Sequence, residues 1–158
     1  PPDQMLLSKL LGMFEALTAA YPDRPRGLIH SDLFRDNTLF VGNQLTGILD
    51  FYEMNHDELL FDVAISINDF CTEYPSLELN EDKAIAFLTA YDAIRRLTDD
   101  ERACLEIYLA MAAGRFWLMR LRVAAKNSEL GLSSADILHK NPNEMRNMLI
   151  DRLKFVTA

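Results

Sequence analysis

The sequence predicts a mainly α-helical domain that carries one small β-hairpin, and three observations lead there. Long stretches repeat apolar residues at three- and four-residue spacing, the signature of amphipathic helices. Only one region sets two short apolar runs around a turn pair, Gly42-Asn43, and there the strands are Thr38 to Val41 and Leu45 to Leu49. The chain has 158 residues, 49% of them apolar and 25% charged, enough for one core and too few to argue for two. A single domain over 1–158 is the expectation.

The first predicted helix runs from Met5 to Ala20, with Leu6, Leu7, Leu10, Leu11, Phe14 and Leu17 on one wide apolar face. Pro22, Pro25 and Gly27 end it and lead into the hairpin region. After the polar segment Glu53-Met54-Asn55-His56-Asp57-Glu58, a second helix starts near Leu59 and continues to about Tyr74, stopped by Pro75 and Ser76. Its apolar positions are Leu60, Phe61, Ala64, Ile65, Ile67 and Phe70. Asn80 is the expected N-cap of a third helix, Glu81 to Leu97, with Ala84, Phe87, Leu88, Tyr91 and Ile94 facing inward.

Thr98 and Glu101 fit a capping box, and Asp99 and Asp100 lie where the helix dipole favours negative charge. The fourth helix they open reaches roughly 28 residues, about 40 Å at 1.5 Å per residue. Cys104, Ile107, Tyr108, Met111, Gly114, Trp117, Leu118 and Leu121 line its stripe, and Gly114 marks a close crossing or a kink. Ser128 to Ser134 reads as a loop. Asn141, Pro142 and Glu144 start a last helix, from about Pro142 to Phe155.

Composition narrows the partners. A formal net charge of −8 argues against a nucleic-acid surface and against an acidic membrane. Cys71 and Cys104 stand alone in helical patterns, as buried free thiols do in a reducing compartment. Three separated histidines, His30, His56 and His139, offer no zinc spacing, and His56 and His139 read as solvent-facing. No signal peptide or long apolar span is visible, so a cytoplasmic location is expected, although a natural amino terminus is not assumed for a chain that begins at Pro1-Pro2.

The chemistry concentrates in Leu28-Ile29-His30-Ser31-Asp32-Leu33-Phe34-Arg35-Asp36-Asn37-Thr38-Leu39-Phe40 and in Gly47-Ile48-Leu49-Asp50-Phe51-Tyr52-Glu53. The hairpin would bring Asp32 and Asn37, before its first strand, to Asp50, after its second. Oxygen ligands of this kind suit a hard cation such as Mg2+, which also binds substrate phosphate. Phosphoryl transfer needs such an ion and a carboxylate that accepts the hydroxyl proton. The spacing H-x-D-x-x-x-x-N is that of a protein-kinase catalytic loop, but the H-R-D and D-F-G triplets are replaced by His30-Ser31-Asp32 and Asp50-Phe51-Tyr52.

On these residues the stretch resembles the Brenner-type motif of the aminoglycoside and choline kinase superfamily, which implies the carboxyl-terminal lobe of a protein-kinase-like fold. Within that superfamily the sequence is most similar to homoserine kinases of the kinase-like type. Ile29 to Phe40, Leu45-Thr46-Gly47-Ile48-Leu49-Asp50-Phe51-Tyr52, Leu60-Phe61-Asp62-Val63-Ala64-Ile65 and Lys140-Asn141-Pro142-Asn143-Glu144 carry the resemblance. It implies ATP as co-substrate, Mg2+, and a small-molecule acceptor, L-homoserine first, with threonine biosynthesis as the setting.

Asp32 is then the expected catalytic base, against the alternative of a turn carboxylate that accepts backbone N–H groups. Asn37 and Asp50 are the expected metal and nucleotide-binding residues, Asn37 having a turn role as its alternative. His30 is expected to hold the loop's shape rather than move a proton, and Asp62 to cap its helix or hold the loop. Arg35 could meet a substrate carboxylate or phosphate, with plain surface charge an equal competitor. Tyr52, Glu53 and His56 could wall the acceptor site, joined by Asn68, Asp69 and Arg115. Trp117 reads as core.

Nothing in the sequence resembles a glycine-rich phosphate loop or a V-A-I-K-like strand. In the resembled family those belong to an amino-terminal lobe, so the expected partner is such a lobe of the same protein. Without it the 158 residues are expected to be inactive alone and prone to self-association through the uncovered face. The alternatives are another acceptor (an aminoglycoside, choline or other small alcohol) or a non-catalytic binding and assembly domain.

Overall fold

The computed structural model describes residues 2–131 and 140–156; His139 and part of the expected 128–134 loop fall outside the described residues. The elements are α1 (Pro2–Ala20), β1 (Arg26–Ile29), β2 (Thr38–Val41), β3 (Gln44–Ile48), β4 (Asn55–Glu58), α2 (Leu59–Phe70), α3 (Glu81–Ile94), α4 (Asp99–Glu129) and α5 (Pro142–Arg152). The chain is mainly helical with small antiparallel β elements, the arrangement of a kinase-like carboxyl-terminal lobe.

α4 is the spine, 31 residues long, about 46 Å at 1.5 Å per residue, and α1, α2 and α5 pack along it. Its start is fixed by the capping box, since Thr98 Oγ1 accepts the Glu101 N–H while the Glu101 carboxylate accepts the Thr98 N–H. Cys104, Ile107, Tyr108 and Trp117 are buried along the core-facing side. At Gly114 an added Cβ would lie 2.6 Å from Leu10 Cδ2, so the missing side chain is what lets α1 approach α4. The expectation of a close crossing there is met. Leu118 and Leu121, expected on the buried stripe, are exposed instead.

α2 is buried nearly all round, including the consecutive residues Val63 to Asp69. It ends at Phe70 rather than near Tyr74, since Thr72 turns out to bridge Leu79 and its Oγ1 donates to Asn68 O. α3 is peripheral. Asn80 caps it by accepting the Lys83 N–H; Ala84 is buried and Phe87, Leu88 and Tyr91 pack partly buried against the core, as expected, while Ile94 points to solvent instead of inward. The helix also stops at Ile94 instead of Leu97, where Asp92 accepts the Leu97 N–H. Asn141 caps α5, which ends at Arg152.

Two small sheets stand on this base. The expected hairpin forms from β2 and β3, turning at Gly42 with φ of 58°, a backbone conformation glycine adopts freely. A second antiparallel pair, β1 with β4, pairs Arg26 with Glu58 and Ile29 with Asn55. The sequence reading missed this pair because β4 is the polar segment Asn-His-Asp-Glu, which has no apolar alternation. Arg24 locks its lower end by donating to Glu58 and to the Tyr108 hydroxyl of α4.

Candidate active site

Between β1 and β2 the chain makes a loop whose backbone is held from four directions. Asp62, in the first turn of α2, accepts the His30 N–H at 2.6 Å through one carboxylate oxygen and the Ser31 N–H at 2.7 Å through the other. His30 Nε2 donates to Leu49 O at 2.8 Å. A carbonyl can only accept, so Nε2 carries the proton and Nδ1 is free to accept the Asp32 N–H, 3.3 Å away. Asn55 at the start of β4 donates to Ser31 Oγ at 2.8 Å, and Arg115 of α4 donates to Ser31 O at 3.0 Å. Ser31 sits at φ 66°, in the left-handed region that a non-glycine residue occupies only when its surroundings insist.

The structure brings Asp32, Asn37 and Asp50 into one neighbourhood. Asn37 lies in a short 3-10 turn, Arg35–Asn37, and its Nδ2 donates to Asp32 O at 2.8 Å and to Asp32 Oδ2 at 3.3 Å. Its carbonyl accepts the Leu49 N–H at 2.9 Å, while Thr38 pairs with Ile48 across the hairpin. Asn37 therefore ties the loop to the end of β3, where Asp50 follows with φ of 60°. With its NH2 donating toward Asp32, the Asn37 amide oxygen is left as an acceptor for another partner. Burial pushes the Asp32 carboxyl up from its usual value; Lys140 and the Asn37 amide oppose the rise, and Asp36 and Asp50 add to it.

The donor set has a definite character. Among the described residues no three His, Cys, Asp or Glu side chains gather as a metal cluster. One amide oxygen and one carboxylate, Asn37 and Asp50, make a sparse oxygen pair. That fits Mg2+, which keeps several waters and takes phosphate oxygens, better than a cation needing a full protein cage.

The other expected site residues are distributed unevenly. Arg35 Nε donates to Asp69 Oδ2 at 3.1 Å, its backbone N–H donates to the same oxygen at 2.6 Å, and the guanidinium lies over the Tyr74 ring. Asn68 is buried in α2, donating to Leu109 O and accepting from Arg152 Nε. Arg115 reaches Glu53 at 3.5 Å and stacks near Phe61 and Phe116. Tyr52 and His56 are exposed. Sequence reasoning overlooked Phe116, Arg120 and Lys140, which with Asp32 and Phe34 line a cavity of about 260 Å3. Phe116 and Arg120 carry no local pattern, and Lys140 opens the stretch Lys140–Glu144 that carries the resemblance without marking it as a site residue, because α4 and the approach to α5 reach the loop only through the fold.

A sequence profile of the phosphotransferase enzyme family matches residues 3–97, well over half of the chain, and the chain belongs to that family. Among individual proteins it is similar to the homoserine kinase of Polaromonas naphthalenivorans, 45% identical over 67% of this chain and 34% of that one. The homoserine kinase of Methylobacillus flagellatus is 50% identical over 61% of this chain and 30% of that protein. That of Afipia carboxidovorans is 47% identical over 66% and 32%. The chain thus spans about a third of the length of the curated relatives it matches. No helix among the described residues is long and apolar enough to cross a membrane.

Proposed function

We propose that this chain is the carboxyl-terminal catalytic lobe of an ATP-dependent small-molecule kinase whose acceptor is L-homoserine. The observation that carries the reading is the double engagement of Asn37, which fastens the Asp32 loop to the strand end that bears Asp50. The names of the relatives, homoserine kinases at 43–50% identity, supply the acceptor. Asp32 accepts the acceptor's hydroxyl proton and holds that oxygen in line for attack, and its raised pKa makes it the better proton acceptor. Asn37 and Asp50 would hold Mg2+, which when bound neutralises charge on the transferring phosphoryl group. His30, Asp62 and Arg115 keep the loop in shape; Arg35 and Asp69 fasten its far end.

The same reading includes a further lobe of the protein over the hairpin. Leu39, Phe40 and Val41 of the hairpin and Phe51 and Tyr52 after it are exposed apolar residues that a nucleotide-binding lobe would cover. Without that cover the chain alone would self-associate and transfer little. The test is phosphoryl transfer by the full-length protein with Mg-ATP, offering L-homoserine beside choline, an aminoglycoside and L-serine, with Asp32→Asn as the blank. Selective turnover of L-homoserine that vanishes in the blank is the expected result. Equal activity in the blank sinks the mechanism, and Asp32-dependent turnover of a different alcohol sinks the acceptor.

A further inference from the structure

The cavity that Asp32 opens onto is walled by Phe34 on the loop and by Phe116, Met119 and Arg120 of α4, with Lys140 on the approach to α5. Its sides are apolar, and Arg120 and Lys140 bring two cations to it in a chain whose net charge is −8. An adjoining cavity of about 310 Å3 shares Phe34, Arg120 and Lys140 and adds the carboxylates Asp36, Asp69 and Glu144 and the Arg35 guanidinium, which is bonded to Asp69. Both signs of charge therefore stand beside the candidate base, within reach of one small molecule.

The two cations are held differently. Arg120 Nη1 donates to Glu144 Oε2 at 2.6 Å and to Asn141 O at 3.0 Å, with its side chain only 13% exposed. Lys140 Nζ lies 5.5 Å from the Phe34 ring centre and donates to Asp36 Oδ2 at 2.8 Å. The Lys140 and Asp36 side chains are 51% and 59% exposed, so that pair contributes little to stability and exchanges partners readily. Arg120 is a nearly buried, doubly bonded cation and Lys140 an exposed one.

Resting on the kinase reading above, we infer that Lys140 and Arg120 set acceptor specificity by receiving the carboxylate of a small hydroxy amino acid while Asp32 receives its hydroxyl. Asp36 and Glu144 stand where the acceptor's ammonium group finds opposite charge. The apolar walls of Phe34, Phe116 and Met119 take the short aliphatic chain.

The test compares L-homoserine with 3-aminopropan-1-ol, which keeps the hydroxyl and the amine and lacks the carboxylate, in competition for the full-length protein. In Lys140→Met the kcat/KM preference for L-homoserine over the amino alcohol is expected to fall about ten- to a hundredfold, the size of one charge-assisted hydrogen bond. The loss should appear in KM for L-homoserine more than in kcat. Arg120→Lys, which keeps the charge and the link to α5 better than truncation would, is expected to move the preference in the same direction. An unchanged preference in Lys140→Met, or a loss confined to kcat, overturns the inference while leaving L-homoserine as acceptor. A wild-type protein that turns over other alcohols through Asp32 and ignores L-homoserine overturns both.

Discussion

Along α4, Cys104, Ile107, Ala110 and Trp117 have 1% or less of their surface exposed, while across the molecule Val41 is 72% exposed and Tyr52 97%. The helical base is held by burial, which is large, non-directional and forgiving of small repacking. The loop from His30 to Asn37 is held by directed bonds between named atoms, and it has a left-handed Ser31 in its backbone with a left-handed Asp50 beside it. Each such conformation costs on the order of 1–3 kcal/mol. A site of this kind can exist only on a base with stability to spare.

The sharpest test of that division is Asp32→Asn. Transfer by the full-length protein should fall by about 10²–10⁴, the range for loss of a general base, while the fold survives. The same variant carries a stability signature of opposite sign. Because the folded protein raises the Asp32 pKa, it disfavours the charged form, and stability is lost as pH rises from below the ordinary carboxylate range through the raised value. Without metal or nucleotide, Asp32→Asn should therefore melt higher than the parent at pH 7. The difference should vanish below a pH of about 4. A variant that melts lower at pH 7 would break the comparison.

Trp117→Ala should do the reverse, costing about 3–5 kcal/mol in urea unfolding because it empties a sealed position on the spine. Any loss of transfer should then follow the unfolded fraction. Asp62→Ala stands between the regions. It leaves the buried His30 and Ser31 N–H groups without an acceptor, a cost of about 1–3 kcal/mol each, and it should lower transfer about tenfold or more even where the protein is fully folded. Equal losses in the two readouts would mean the clasp is merely structural. Thr98→Ala is the smallest change, about 1 kcal/mol of stability from the lost cap, with kinetic constants of the folded protein unaltered.

What could be read from the sequence follows the same line. The helices were legible because apolar periodicity reports burial, and the caps at Asn80, Thr98 and Asn141 because they use residues next to each other in the chain. The gathering of Asp32, Asn37 and Asp50 was legible because a hairpin is local. The pairing of β1 with β4 was not, since its register comes from the closure of the intervening hairpin rather than from alternation in Asn55–Glu58. Asn68, read from the sequence as an acceptor-site candidate, is buried with Leu109 and Arg152 as its partners, and only the fold supplies those. Arg120 and Lys140 lie far along the chain from Asp32, and only the packing of α4 and α5 puts them at the same cavity.

The Asn37 side chain also gives the site a chemical lifetime. Asparagine amides hydrolyse slowly in water, and hydrolysis here would replace an NH2 that donates to Asp32 with an oxygen that can only accept. A new anion would then face the Asp32 carboxylate across a gap now closed by hydrogen bonds. Ageing at this one atom would disable the loop while leaving the helical base, and every measure of overall folding, almost untouched.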